Sequence, residues 1–188
     1  MKRGFKKLAE TKALEFRKEL SLKYYEKLPA ELLADYLNVE LITPYNIQGL
    51  PSKDKIILLN HDSASWSAIT IKNRRRKFVI IYNPTHSKKR QESNLMHELS
   101  HIICGHTMEK IKLRKNFPFP LRDYNSAQED EAKWLGGCLQ IPRRALLWGK
   151  FNKMTNSELS GHFGASINML EYRLNITGVD RQMNSIRL

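Results

Sequence analysis

The chain has 188 residues, of which 41% are hydrophobic, so it can form one domain of ordinary size but not two large ones. A chain of this length buries roughly 70% of its unfolded surface. Its core therefore needs no disulfide or metal, and any bound metal is expected to be functional. The 32 basic and 19 acidic residues give a net charge of +13, which favours an acidic partner such as a nucleic acid without establishing one.

The sequence shows no sign of export or of a membrane span. Its basic start is followed by Glu and Lys residues where a signal peptide needs an apolar stretch. The longest aliphatic runs, residues 56–59 and 78–82, are far shorter than the roughly 20 residues that cross a bilayer. The cysteines Cys104 and Cys138 have neither disulfide-framework nor metal-site spacing. We therefore expect a cytoplasmic protein that does not contact a membrane.

The first half of the chain predicts two helices and a small sheet. Apolar residues recur with a period near 3.6 over residues 5–20, which predicts an amphipathic helix, and Pro29 suits the first position of a second helix. The β-branched segment 39–42 predicts a strand. Three later segments also have the composition of strands: residues 56–59, 66–71 and 78–82. With a hairpin turn at Asn73, these elements predict an α+β fold with a small, mostly antiparallel sheet from residues 39 to 83.

The second half of the chain is predicted to be helical. Residues 87–104 have a helical period that Gly105 is placed to end, and a second helix is expected over residues 126–139 after a basic, proline-punctuated stretch. Shorter helices are predicted over residues 146–151 and around Gly161 and Gly164. We expect residues 1–155 to form one domain and residues 156–188 to form a helical segment packed on it.

Residues 158–174 have the helix, short Gly-containing turn and helix of a DNA-binding helix-turn-helix. The second of these helices carries Asn168, Glu171 and Arg173 on one face. One acidic and one basic side chain make that face poorly suited to phosphate. We therefore interpret this segment as packing structure.

One motif on the predicted 87–104 helix has the spacing of a metal site. His97-Glu98-Leu99-Ser100-His101 places two imidazoles four residues apart, about 40° apart around a helix, so both point at one spot and are expected to bind zinc. Glu98 lies about 100° round from His97, close to the metal but outside its ligands, which is the position of a general base. The alternative is a pair of surface histidines, which their position beside the apolar face disfavours.

Zinc in a hydrolase normally has three protein ligands. The metzincin pattern would place Gly at 104 and His at 107, where this chain has Cys104 and Thr107. His106 lies beyond the predicted end of the helix. The candidates for the third ligand are therefore the carboxylates that open the next helix, Glu129 and Glu131.

Two patterns bear on the choice between these carboxylates. Glu129 shares a helix face with Ala132 and Gly136, which are small enough to let this helix approach the histidine helix closely, whereas Glu131 aligns with Leu135. However, Ser126 and Glu129 also fit the Ser-x-x-Glu capping box, which would make Glu129 part of a helix cap. The spacing by itself leaves the choice open.

The chain resembles the ImmA/IrrE-type zinc metallopeptidases along most of its length. The resemblance rests on Lys2-Arg3-Gly4-Phe5, on Arg90-Gln91 ahead of the histidine motif, and on Glu129-Asp130-Glu131-Ala132-Lys133-Trp134-Leu135 through Leu139-Gln140-Ile141-Pro142. The last segment is the most specific, because the family pattern there is Glu-x-(Glu/Gln)-Ala-x-x-Phe-Ala-x-x-Leu-Leu-x-Pro. Three positions depart from it: Leu135, Gly136 and Gln140.

The resemblance implies an enzyme and its site. It makes Glu129 the third zinc ligand beside His97 and His101, with Glu98 as the base that takes a proton from water and delivers it to the leaving amine. It also implies a Zn²⁺ endopeptidase that cleaves a helix-turn-helix transcriptional repressor and so derepresses genes. An oxyanion donor is expected. The sequence does not choose among three candidates for that role: Tyr82, Tyr124 and His106.

A cluster of positive charge gives the main competing hypothesis. Five basic residues fall within six positions of the predicted hairpin: Lys72, Arg74, Arg75, Arg76 and Lys77. Together with residues 88–90 they could bind the phosphates of a nucleic acid. The protein would then be a nucleic-acid-binding regulator whose zinc fold is a scaffold or is gated by DNA. The simpler alternative is a solvated turn.

Overall fold

The structure, a computed structural model, describes residues 1–61, 63–73, 75–106 and 125–186. Two helices come first, α1 (Phe5–Glu19) and α2 (Ala30–Tyr36). The helix predicted over residues 5–20 is confirmed. Pro29 caps α2 from outside rather than forming its first residue, because its ψ of 138° is extended.

Three strands form one mixed sheet in the described part of the chain. They are β1 (Glu40–Ile42), β2 (Ala68–Lys72) and β3 (Phe78–Tyr82), in the order β1-β3-β2. The β2 and β3 strands form an antiparallel hairpin, whereas β1 pairs with β3 in parallel. The predicted α+β class is confirmed, although one of the two strand pairings is parallel.

The prediction of a strand over residues 56–59 is wrong. This segment belongs to α3 (Ser52–Ile56) and to a π-helical turn that continues it (Ile57–His61). Leu58 is fully buried in a small apolar cluster with Trp66, whose indole N–H donates to the carbonyl of Leu58 at 2.8 Å. A short apolar run is compatible with either a buried strand or a buried helical turn, and packing against the sheet decides between them here.

The two long helices predicted around the metal motif are confirmed as α4 (Lys88–Ile103) and α5 (Ser126–Gln140). They pack along each other. A Cβ atom at Gly136 would lie 3.3 Å from the carbonyl oxygen of Met96 and 3.4 Å from Cα of His97. Glycine therefore allows α5 to come this close to the histidine-bearing turn of α4.

Helix α1 is attached to the far end of α5 through a buried arginine. The guanidinium of Arg17 is fully buried and donates to the carbonyl oxygens of Leu139 and Gln140, at 2.8 and 3.1 Å. These carbonyls belong to the last turn of α5, where no backbone donor follows within the helix. The contact fixes α5 at the end opposite the metal motif.

Four helices complete the described chain: α6 (Arg143–Phe151), α7 (Asn156–Phe163), α8 (Ile167–Thr177) and α9 (Val179–Ile186). The two helices predicted around Gly161 and Gly164 are confirmed as α7 and α8. Helix α6 begins three residues earlier than the predicted 146–151. A separate apolar cluster, running from Ile141 to Met183, holds these four helices together. The division of the chain after residue 155 remains a prediction.

The helix-turn-helix-like pair α7 and α8 is packed into this cluster. Arg173, which the sequence suggested for an outward face of α8, is fully buried and donates to the carbonyl oxygen of Ile141 at 2.9 Å. It therefore contributes nothing to an external surface. Within the described ranges, no helix is both long enough and apolar enough to cross a membrane.

Candidate metal centre

Three potential metal donors converge between α4 and α5. His97 and His101 lie one turn apart on α4, and Glu129 lies in the first turn of α5. The Nε2 atoms of the two rings are 3.1 Å apart. The carboxylate of Glu129 places Oε2 3.2 Å from Nε2 of His97 and Oε1 3.4 Å from Nε2 of His101. We call these three residues the donor triangle.

The donor triangle fits zinc. Tetrahedral zinc with bonds of about 2.0–2.1 Å has ligand atoms roughly 3.3 Å apart, which is close to the observed separations of 3.1, 3.2 and 3.4 Å. Two imidazoles and one carboxylate are a common donor set for catalytic zinc, whose fourth position is kept for water or substrate. Among the residues that the structure describes, this is the one group of three such donors close enough to share an ion.

One side of the donor triangle is buried and the other is open. The side chain of His101 is 2% exposed, whereas those of His97 and Glu129 are 32% and 45% exposed. The site is therefore anchored in the protein interior and remains accessible to a substrate.

In the absence of metal, Glu129 and His97 are placed to form an ion pair when His97 is protonated. The hydrogen bond with His97 lowers the pKa of Glu129 below its usual value, against the opposing effect of burial. Burial alone would lower the pKa of His97, but the hydrogen bond to Glu129 and the negative charges of Glu98 and Glu129 raise it. Because a metal binds the neutral imidazole, zinc should bind more weakly as the pH falls through the raised pKa of His97.

The capping-box interpretation of Glu129 is wrong. The N-cap of α5 is Asn125, whose side-chain oxygen accepts from the backbone N–H of Gln128 at 2.9 Å. Ser126 is the first helical residue and does not cap the helix. The carboxylate of Glu129 is thus directed to the histidines of α4.

Glu98 lies beside the donor triangle but outside it. Its side chain is largely buried, and Oε2 accepts a short hydrogen bond from the hydroxyl of Thr70 on β2. Thr70 is itself 1% exposed, so the contact is made in the interior between α4 and the sheet. The sequence analysis missed Thr70, because a single threonine in a strand carries no functional signal.

His106 and Glu131 lie behind His101 rather than among the three donors. Nδ1 of His106 is 2.9 Å from Nδ1 of His101, and Nε2 of His106 is 3.2 Å from Oε2 of Glu131. The other oxygen of Glu131 accepts from the backbone N–H of Lys2 at 3.0 Å. Burial would raise the pKa of Glu131, but the hydrogen bonds from Lys2 and His106 lower it below its usual value, which keeps the carboxylate charged.

None of the three candidate oxyanion donors is assigned by the structure. Both ring nitrogens of His106 are engaged with His101 and Glu131. Tyr82 lines a separate cavity of about 300 Å³. Tyr124 lies outside the described residues.

The basic residues of the hairpin are exposed at its tip wherever the structure describes them: Lys72, Arg75, Arg76 and Lys77. Arg74 lies outside the described residues. The side-chain oxygen of Asn73 accepts from the backbone N–H groups of Arg75 and Lys77, both at 3.0 Å. The predicted turn at Asn73 is confirmed, and it places three of these cations, Arg75, Arg76 and Lys77, close together at the surface.

The comparisons with known proteins bear on the family and the fold. Among solved structures, the chain is similar to a Mycobacterium tuberculosis transcriptional regulator, with a TM-score of 0.54 and 13% identity over 88% of this chain. At that identity the likeness shows the fold alone, and this chain spans only 46% of the regulator. A search of curated proteins gave no significant match.

The family model of peptidase M78, described as the IrrE N-terminal-like domain, matches residues 52–175. The matched range is well over half of the chain and contains α4, α5 and the donor triangle between them. The chain therefore belongs to the peptidase M78 family of IrrE N-terminal-like domains, and it is a zinc-dependent peptidase-type domain.

Proposed function

We propose that the protein is a cytoplasmic zinc endopeptidase that cleaves a helix-turn-helix transcriptional repressor. The observation that carries the proposal is the donor triangle with Glu98 beside it. The three donors have the separations of a tetrahedral zinc site, and the adjacent carboxylate is not needed to hold the metal. Such a division between metal ligands and a nearby carboxylate that does not bind the metal is the arrangement that metal-assisted hydrolysis requires.

The side chains of the site would have separate roles in metal binding and in proton transfer. His97, His101 and Glu129 would hold the zinc, which supplies Lewis-acid polarisation of water and of the scissile carbonyl when it is bound. Glu98 would take a proton from the attacking water and deliver it to the nitrogen of the leaving peptide. The hydrogen bond from Thr70 would hold the Glu98 carboxylate in one orientation for both transfers.

The sheet offers a way to position an extended substrate. Strand β2 lies at one edge of the described sheet and carries Thr70, which contacts Glu98. A peptide that paired with this edge would run past the metal centre. It would gain affinity from main-chain hydrogen bonds and leave specificity to side-chain pockets.

The repressor substrate is proposed from the family resemblance and from the similar structure, which is a transcriptional regulator. The test is incubation of the purified protein and zinc with a small helix-turn-helix repressor encoded beside its gene. Fragments are expected with the parent protein. Glu98→Gln should retain zinc and fold but cleave at least roughly 10²-fold more slowly.

Two outcomes would overturn the proposal. The repressor assignment fails if the parent yields no fragment with zinc, either with or without added DNA. Cleavage by Glu98→Gln at the parental rate would show that Glu98 is not the base.

A second candidate function is binding of nucleic acid by the hairpin tip. The observation that favours it is the turn at Asn73, which presents Arg75, Arg76 and Lys77 to solvent. Binding by phosphate contacts should weaken steeply as salt rises. In a filter-binding titration, Arg75→Ala should reduce the salt slope by about one if its side chain contacts a phosphate. Lys53→Ala, an exposed cation on α3, is the matched control, and equal slopes for the two variants would exclude the hairpin.

A further inference from the structure

We propose that Glu131 and His106 form a positioning chain for the zinc ligand His101, fixing both the tautomer and the orientation of its ring. The inference rests on the proposed zinc site and goes beyond it, because it assigns a role to two residues that are not ligands. Histidines that ligate metals commonly donate their second ring nitrogen to a carboxylate or carbonyl. Here another histidine lies between the ligand and the carboxylate.

The distances select one arrangement of hydrogens. Nε2 of His101 faces the other two donors, at 3.1 Å from His97 and 3.4 Å from Glu129. A ring nitrogen that binds a metal carries no hydrogen, so the hydrogen of neutral His101 lies on Nδ1. That N–H points at Nδ1 of His106, 2.9 Å away, which must then accept.

The same reasoning fixes the hydrogen of His106. With Nδ1 accepting, the hydrogen of the neutral ring lies on Nε2, which donates to Oε2 of Glu131 at 3.2 Å. The opposite tautomer would place the lone pair of His106 against the carboxylate. With both rings neutral, every group in the chain from Glu131 to His101 is therefore satisfied only when Nε2 of His101 presents its lone pair to the metal.

The backbone after α4 is arranged to bring His106 back under His101. Gly105 has a φ of +64°, a left-handed conformation that reverses the chain at the end of the helix. The backbone N–H of His106 then donates to the carbonyl oxygen of His101 at 3.0 Å. This turn places the two imidazoles edge to face, with ring centroids 5.0 Å apart.

The positioning chain is shielded from water. The side chains of His106 and Glu131 are 5% and 8% exposed, so solvent competes little for their hydrogen bonds. Glu131 is also held through its second oxygen by the backbone N–H of Lys2. A carboxylate fixed at both oxygens can hold the His106 ring, and through it His101, in one orientation.

Removal of such an outer partner typically costs 10- to 100-fold in metal affinity. The test is titration of the metal-free full chain with zinc against a competing chelating dye. His106→Ala should bind zinc about 10- to 100-fold more weakly than the parent, and Glu131→Ala should also bind more weakly. Glu131→Gln keeps an oxygen that can accept from His106 and should recover most of the affinity. His162→Ala removes a half-buried imidazole far from the site, bonded to the carbonyl of Tyr25, and should bind like the parent.

A second readout separates positioning from general loss of structure. In ¹⁵N spectra of the zinc-loaded parent, His101 should show a slowly exchanging proton on Nδ1, and this signal should broaden or disappear in His106→Ala.

If His106→Ala fails to fold, the comparison of the zinc affinities of Glu131→Ala and Glu131→Gln still decides. The inference is wrong if His106→Ala keeps the parental zinc affinity and the protected Nδ1 proton. It is also wrong if the absorption spectrum of His106→Ala with Co²⁺ in place of zinc shows one metal ligand fewer than that of the parent. A parent that binds no zinc would instead refute the proposed function.

Discussion

Glu129 is the one donor that α5 contributes to the donor triangle, so Glu129→Ala tests whether zinc joins the two long helices. Its carboxylate already lies 3.2 and 3.4 Å from the two imidazole nitrogens, close to the roughly 3.3 Å that tetrahedral zinc requires. Little rearrangement is needed on binding. Loss of this carboxylate should therefore remove nearly the full contribution of one ligand.

The expected size follows from general zinc energetics. Structural sites with four ligands bind zinc with roughly 10–16 kcal/mol, or about 3 kcal/mol per ligand, which corresponds to roughly 10²-fold in affinity. At a free zinc concentration of about 100 times the parental Kd, zinc stabilises the parent by about 2.7 kcal/mol. For a chain of this size that raises Tm by about 5–10 °C. At the same zinc concentration, Glu129→Ala should gain only about 0.4 kcal/mol, or roughly 1 °C.

The assay is thermal unfolding followed by circular dichroism, with zinc buffered at a fixed free concentration and then with a chelator in excess. Asp130→Ala is the matched control, because it removes an exposed carboxylate from the next position of α5 and should keep the full zinc-dependent shift. Glu131→Ala removes no donor and should lose less of the shift than Glu129→Ala. If Glu129→Ala shows the parental zinc-dependent shift, Glu129 is not a ligand and the donor triangle is not the metal site.

Three further predictions concern the base, the packing and the metal-free site. Thr70→Val removes the hydroxyl that donates to Glu98. The variant should keep the parental zinc affinity and KM but lower kcat about tenfold or more. An unchanged kcat would remove Thr70 from the proposed mechanism. Gly149→Ala would place a Cβ 2.3 Å from Cδ2 of the fully buried Leu159 and should lower the free energy of unfolding by about 1–3 kcal/mol. A Cβ at Gly161 would have nothing within 4 Å, so Gly161→Ala should raise the free energy of unfolding by roughly 0.5–1 kcal/mol. Urea unfolding of the two variants measures both changes. In excess chelator, the stability difference between the parent and Glu129→Ala should be largest between about pH 4.5 and 6.5, the usual pKa values of the two groups. The contribution of Glu129 is lost as the pH falls through its lowered pKa, and that of His97 is lost as the pH rises through its raised pKa. A difference that is constant with pH would contradict the ion pair.

The sequence predicted what is encoded within single helices. Helices α1, α4 and α5 are long enough for a 3.6-residue period to be unambiguous. Two histidines four positions apart on a helix must share a face whatever surrounds them, so the juxtaposition of His97 and His101 could be predicted locally. The small Ala132 and Gly136 on the face of Glu129 indicated a close approach of the two helices, but the choice of Glu129 over Glu131 came from the family resemblance.

Features that depend on packing between segments were predicted less well. Residues 56–59 are apolar enough for a strand, yet Leu58 is buried through a helical turn against Trp66. The parallel pairing of β1 with β3 likewise depends on the path of the chain between the two strands. The sequence of a strand does not determine the direction of its neighbour. In both cases the local composition is compatible with two structures, and tertiary contacts select one of them.

The residues that support the metal ligands were the hardest to predict, for a physical reason. A ligand must face the metal, so its spacing is constrained by the helix that carries it. A supporting residue only has to lie behind a ligand, and it can come from any element that packs there. Thr70 contacts Glu98 across 28 positions, and Glu131 contacts His106 across 25. His106 is the exception, because its place is local: the left-handed Gly105 reverses the chain directly after α4, which returns the next side chain to the last turn of the helix. A histidine that follows such a glycine, five residues after a ligand, is therefore better interpreted as a partner of that ligand than as a failed ligand.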